Sequence, residues 1–188
     1  MLDMVHRASL TPADRVTLTR AGILVPVAAL VALRPFLDSG STPLWGWLVV
    51  ALATPMLALD AVDGAVARRT VATDRGARLD METDAAAVLV LSLAAVPAVG
   101  AWVVCAGLLR YVFLAAGRVV PALQAPLPYS LARRVVAAVQ GPALLLAVAP
   151  VVPPVLAVVA CAVALAVLLW SFGRDVARQL REPYRLVT

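Results

Sequence analysis

Carboxylates are concentrated in one short stretch of this chain, at positions 60, 63, 74, 80, 82 and 84, and long runs without any charge flank it on both sides. A charged side chain at the centre of a membrane helix costs roughly 2.5–3.5 kcal/mol on insertion scales, so acids kept beside such runs need a chemical reason. Their spacing supplies one. Asp60 and Asp63 are three apart, which places them on one face of a helix, and Gly64, Ala67 and Arg68 continue that face over the next two turns. Gly76, Asp80 and Asp84 stand at i, i+4 and i+8 and form a single stripe on a second helix. If these two helices pack as a hairpin, four carboxylates converge, and their repulsion demands cations. Oxygen donors of this kind suit Mg²⁺ or Mn²⁺, hard ions that also bridge to substrate phosphates. Gly64, Ala67 and Gly76 add no bulk and let a ligand come close to the backbone. Asp74 and Glu82 fall off the two stripes and read as surface charges. A charged loop is ordinarily a solvated face, but acids in helical register on both sides of a loop, with small residues in phase, favour a metal site.

The elements that position these acids are membrane helices. Of 188 residues 63% are hydrophobic and 14% charged, and the mean hydropathy is +0.94, well beyond the roughly 45–50% apolar content of a soluble domain. The length suits a single domain over residues 1–188. A net charge of +5 could serve nucleic acid, but all 16 basic residues are Arg and most stand at the ends of apolar runs. That distribution reads as topology, and no nucleic-acid partner is expected. Cys105 and Cys161 lie inside apolar runs as packing residues, and His6 reads as a solvated tail histidine. The apolar stretch from Ala21 to Leu33 is short enough for a signal peptide; with "VTLTR" extending it, it reads as a retained span.

An all-α integral membrane protein with six transmembrane helices follows. A span takes about 20 residues, and six fit at about 16–36, 43–60, 80–97, 100–119, 133–150 and 154–173, with breaks at "PAVG" and "PVVPP". Arginines cluster in the N-terminal segment, the second-to-third and fourth-to-fifth loops and the tail, while the opposite loops contain only Arg34. The positive-inside rule therefore puts both termini, and the acidic stretch, in the cytoplasm. Arg110 reads as the one cation inside a span.

The series Asp60-x-x-Asp63-Gly64-x-x-Ala67-Arg68, seven residues, then Gly76-x-x-x-Asp80-x-x-x-Asp84 resembles the signature of the CDP-alcohol phosphotransferases (CDP-alcohol phosphatidyltransferases), membrane enzymes of phospholipid biosynthesis. Two further stretches are similar to the phosphatidylglycerophosphate synthase-like members. "ADRVTLTRAG" matches an Asn-x-x-Thr-x-x-Arg pattern at Thr17 and Arg20, with Asp14 in place of Asn, and "ARRVVAAVQ" matches at Arg134 and Gln140, with Val136 at a second basic position.

The resemblance implies a six-helix, homodimeric, multi-pass protein of the cell (plasma) membrane, with a cytoplasm-facing site that takes a CDP-alcohol lipid, most often CDP-diacylglycerol, and a small alcohol acceptor. It implies that Asp60, Asp63 and Asp80 hold two metal ions with Asp84 as a further ligand, and that Asp84 is the catalytic base. Arg68 would bind a phosphate oxygen, Gly64 and Ala67 would leave room for the nucleotide, and Gly76 and Thr17 would complete the CDP-alcohol site. Arg110, Arg118, Arg133 and Arg134 lie towards the same cytoplasmic side and could form a cationic pocket for a phosphate that stays on the acceptor. Glycerol 3-phosphate is then the first expectation and inositol phosphate the second. The alternatives are an aminoalcohol phosphotransferase using CDP-choline or CDP-ethanolamine, and a non-catalytic transporter whose acids conduct ions.

Overall fold

The computed structural model describes residues 12–36, 43–66, 74–120 and 130–181. Every regular element within them is helical: α1 (Pro12–Leu33) running into a 3₁₀ turn (Arg34–Phe36), α2 (Pro43–Val66), α3 (Asp74–Val99), a 3₁₀ turn (Ala101–Val103), α4 (Val104–Val119), α5 (Leu131–Val148) and α6 (Pro154–Arg181).

Local chemistry sets these ends. α1, α2 and α6 each open on a proline, whose fixed φ and missing N–H suit a first helical position. Ser130 caps α5, its Oγ accepting from the N–H of Arg133 at 3.5 Å. Pro26, Pro55, Pro97 and Pro142 lie inside helices, as membrane helices tolerate when their neighbours re-satisfy the freed carbonyls. α3 thus runs through Pro97 to Val99, and the chain turns at Gly100, whose φ of 106° is open to a residue without Cβ.

Five stretches are long and apolar enough to cross a membrane: Asp14–Phe36, Pro43–Asp60, Gly76–Val99, Ala101–Val119 and Pro154–Gln179. α5 is a sixth helix, with Arg133 and Arg134 in its first turn. The outer surface carries exposed Val25, Leu48, Val112, Val159 and Trp170, the exterior of a multi-pass membrane protein. The first stretch takes in Arg20, so Arg110 is not the one cation inside a span.

α3 is the central helix and packs on α1, α4, α5 and α6; α1 packs on α2, and α5 on α6 and α2. Ala85, Ala87, Ala94 and Ala95 are buried along α3, and small residues of this kind let membrane helices approach closely. Gly107 on α4 shows how closely: a Cβ there would stand 2.5 Å from Leu89 Cα. At the other end of α1, Trp45 Nε1 donates to the Leu30 carbonyl at 3.1 Å, and the Arg34 guanidinium lies 4.2 Å from the Trp45 ring centre. This cation–π contact ties α1 to α2 away from the acids.

Candidate metal centre

Asp60 lies about two turns before the end of α2, and Asp80 and Asp84 sit one turn apart early in α3. Among the described residues α2 and α3 are not each other's main neighbours; both pack on α1. The physical reason is visible in what α1 supplies. Arg20 projects between the acids: its Nη1 is 2.7 Å from Asp80 Oδ1, its Nη2 is 3.0 Å from Asp60 Oδ1, and the same Nη2 donates to Asp84 Oδ1. Carboxylates pressed directly together would repel, whereas a guanidinium offers planar, charge-assisted donors to several of them at once.

The burial is one-sided. Arg20 is 2% exposed, while the side chains of Asp60, Asp80 and Asp84 are 35%, 42% and 47% exposed. The trio is therefore backed by a buried cation and partly exposed on its other side. The Nε of Arg20 is buried without a hydrogen-bond partner among the described residues. Thr17, one turn before Arg20 on α1, is buried on the same face. Gly76 is half-buried one turn before Asp80 on the stripe the spacing predicts. Asp63 and Gly64 belong to the last turns of α2, but their side-chain surroundings, together with Ala67 and Arg68, lie outside the described residues.

Asp60, Asp80 and Asp84 can each present an oxygen within 4.8 Å of the other two. Three hard donors at this separation, gathered around a positive group, fit Mg²⁺ or Mn²⁺, which bind through carboxylates and complete their shells with water and phosphate oxygens.

The arginines expected to form an acceptor pocket have other immediate neighbours. Arg110 Nη2 is 2.6 Å from Glu82 Oε1, an ion pair between α4 and α3. Glu82, read from the sequence as a surface charge, thus has a partner. Arg118 is exposed, with Nη1 3.5 Å from the Leu114 carbonyl. Arg133 Nε lies 3.4 Å from Asp175 Oδ2, and Arg174 Nη2 lies 3.9 Å from Asp175 Oδ1. Arg134 is exposed on α5. α4 packs on α3 and α6, and α5 packs on α2, α3 and α6, so the two arginine pairs stand on helices whose main neighbours are shared rather than each other.

Arg20, matched in the sequence to a family pattern but given no role there, is the residue that the structure adds to the acids, and Asp175 is a buried acid that the sequence reading does not single out. For Arg20 a signal existed: a cation well inside an apolar helix needs an anion, and the acids of the motif stand towards the same membrane end. The hydropathy pattern ends the sixth span at about 173, short of Asp175, whereas α6 continues to Arg181 and buries Ser171, Asp175 and Gln179 at i, i+4 and i+8.

Apolar helices thus bring together three carboxylates that could hold a metal ion, in a chain with several helices able to cross a membrane. The family model for CDP-alcohol phosphatidyltransferase matches residues 10–170, and the chain belongs to that family. No curated protein and no solved structure matches it. Membership makes it a transferase of phospholipid biosynthesis that moves a phosphatidyl group from a CDP-alcohol to an alcohol, in a family that is metal-dependent.

Proposed function

We propose that this protein transfers the phosphatidyl group of CDP-diacylglycerol to the hydroxyl of a small phosphorylated alcohol, glycerol 3-phosphate first and inositol phosphate second, with release of CMP. The observation that carries the reading is the convergence of Asp60, Asp80 and Asp84, from two helices, at one partly exposed point.

In this reading Asp60, Asp63 and Asp80, with Asp84 as a further ligand, hold two Mg²⁺ or Mn²⁺ ions, which when bound neutralise the diphosphate and the charge that builds on departing CMP. Asp84 takes the proton from the acceptor hydroxyl as that oxygen bonds to the β-phosphorus; the bond from the β-phosphorus to the CMP oxygen breaks, and its electron pair leaves with CMP. Arg68 binds a phosphate oxygen, while Gly64, Ala67 and Gly76 keep the approach to the backbone clear and Thr17 lines the same site from α1. Arg110, Arg118, Arg133 and Arg134 bind the phosphate that the acceptor retains. Displacement at phosphorus asks little of a protein beyond positioning and electrostatics, which suits a site made of acids, arginines and glycines. The chain crosses the cell membrane six times as a homodimer, with both termini and the site on the cytoplasmic side.

The test is purified protein in liposomes with CDP-diacylglycerol and Mn²⁺ or Mg²⁺, offered acceptors one at a time, with CMP release followed. Glycerol 3-phosphate or inositol phosphate should support release. Choline- or ethanolamine-linked CDP as the active donor would replace this reading with the aminoalcohol one, and no metal-dependent CMP release from any pair would leave the transporter.

A further inference from the structure

The position of Arg20 asks for an explanation that the phosphatidyl-transfer chemistry does not use. Its guanidinium bridges oxygens of the same three acids that would hold a metal, with Nη2 shared between Asp60 and Asp84 and Nη1 on Asp80. A guanidinium that hydrogen-bonds Oδ1 of Asp80 and of Asp84 and pairs with Oδ1 of Asp60 competes with a cation for those three oxygens. One donor of Arg20 is unsatisfied in this pose: its Nε is buried and without a partner among the described residues, and a buried donor left unmade is unfavourable. The acids themselves are partly exposed on the other side, so a cation can reach them without passing Arg20.

We propose that Arg20 is an internal counter-ion that competes with the metal for Asp60, Asp80 and Asp84. It holds the three acids together across α1, α2 and α3 before metal arrives, and gives up their inner oxygens when metal binds. The site is thereby kept assembled at one membrane end without a metal, and its apparent metal affinity is set below that of the bare carboxylates. The inference rests on the metal-site reading above, and its test separates the two.

Mn²⁺ binding to the full chain in nanodiscs, followed by electron paramagnetic resonance of the free ion, should be tighter for Arg20→Gln than for wild type by about tenfold, equal to about 1.4 kcal/mol. Arg20→Lys, which keeps the charge but not the two-pronged donor, should fall between them. Arg20→Gln should also have the lower thermal midpoint in EDTA and regain most of the difference in Mn²⁺. Should Arg20→Gln fail to fold, the wild type still decides the matter: the Arg20 Nε–H resonance, assigned by its loss in Arg20→Lys, should shift as Mg²⁺ is added. Equal or weaker Mn²⁺ binding by a folded Arg20→Gln, or an Arg20 resonance unmoved by saturating Mg²⁺, overturns the competition while leaving the metal site in place. A wild type that binds no Mn²⁺ overturns both.

Discussion

Arg20 on α1 donates to Asp80 on α3 over 2.7 Å, across a separation of 60 positions in sequence. With the contact to Asp60 on α2, the pair marks where α2 and α3, both packed on α1, deliver their acids. It also divides the site into a buried side, held by the guanidinium, and a side on which the carboxylates are partly exposed.

The division of labour among the acids is open to a direct comparison. Asp84→Asn should lower turnover by about 10²–10⁴-fold, the usual contribution of a general base, while metal-dependent CDP-lipid binding stays substantial, because Asp60, Asp63 and Asp80 remain. Asp63→Asn should weaken metal and nucleotide binding together. Near-normal turnover in Asp84→Asn would remove it from the role of base.

Membrane orientation can be read from labelling. Cysteines replacing Asp38, which lies between α1 and α2 in sequence, and Ser130, the cap of α5, should react with impermeant reagent from opposite faces of intact cells. Asp38 belongs to the arginine-poor segment, whereas Ser130 precedes Arg133 and Arg134. Labelling of both from outside would break the six-span topology.

The close approach of α4 to α3 makes Gly107 a sensitive position. A methyl group there meets the backbone of Leu89, with Ser92 Oγ at 2.9 Å, so one helix must move. Gly107→Ala should lower stability by about 1–3 kcal/mol, the usual range for overpacking, measured as a drop in thermal midpoint in the same detergent. The Glu82–Arg110 pair joins the same two helices, but Glu82 is about half exposed. A double-mutant cycle of Glu82→Gln with Arg110→Gln should therefore return a coupling of no more than about 1 kcal/mol.

The acids of the site were legible in the sequence because helical register is a local property: Asp80 and Asp84 share a face whatever surrounds them. The apolar runs were legible for the same reason, since length and hydropathy decide which segments suit a bilayer. Arg20 was marked by its place in an apolar helix as a cation in need of an anion, but which acids it joins was not legible. Arg20 meets Asp60, Asp80 and Asp84 only once α1 packs on both α2 and α3, and no periodicity within α1 announces partners 60 or 64 residues away. The pairing of Arg110 with Glu82, 28 residues apart, is hidden in the same way, because it depends on which side of α3 receives α4. Gly100 shows the finer limit: proline and glycine both mark the break at 97–100, and only the backbone shows that the helix passes through Pro97 and turns one glycine later.

The acceptor decides which product this enzyme makes, and the arginines carry that prediction. Arg133 lies against Asp175, a carboxylate only 10% exposed, and Arg174 approaches the same carboxylate from its other oxygen. Two guanidinium groups thus share one carboxylate at this point of the α5–α6 contact, and guanidinium donors of this kind suit a phosphate more than a neutral polyol. Arg134 and Arg118 are exposed on α5 and α4, where exchange to alanine should not disturb the core. An Arg118→Ala plus Arg134→Ala variant should therefore keep its thermal midpoint and its Mn²⁺ affinity, yet raise the KM for a phosphorylated acceptor by about tenfold or more, as the loss of charge-assisted hydrogen bonds requires. Its kcat at saturating acceptor should change far less, because Asp60, Asp80 and Asp84 are untouched. Asp175→Asn is the companion variant: it removes the charge that Arg133 and Arg174 both approach, and the same KM should rise again with kcat spared. An unchanged acceptor KM in both variants, or CMP release supported only by uncharged acceptors, would show that these arginines serve the helix ends alone.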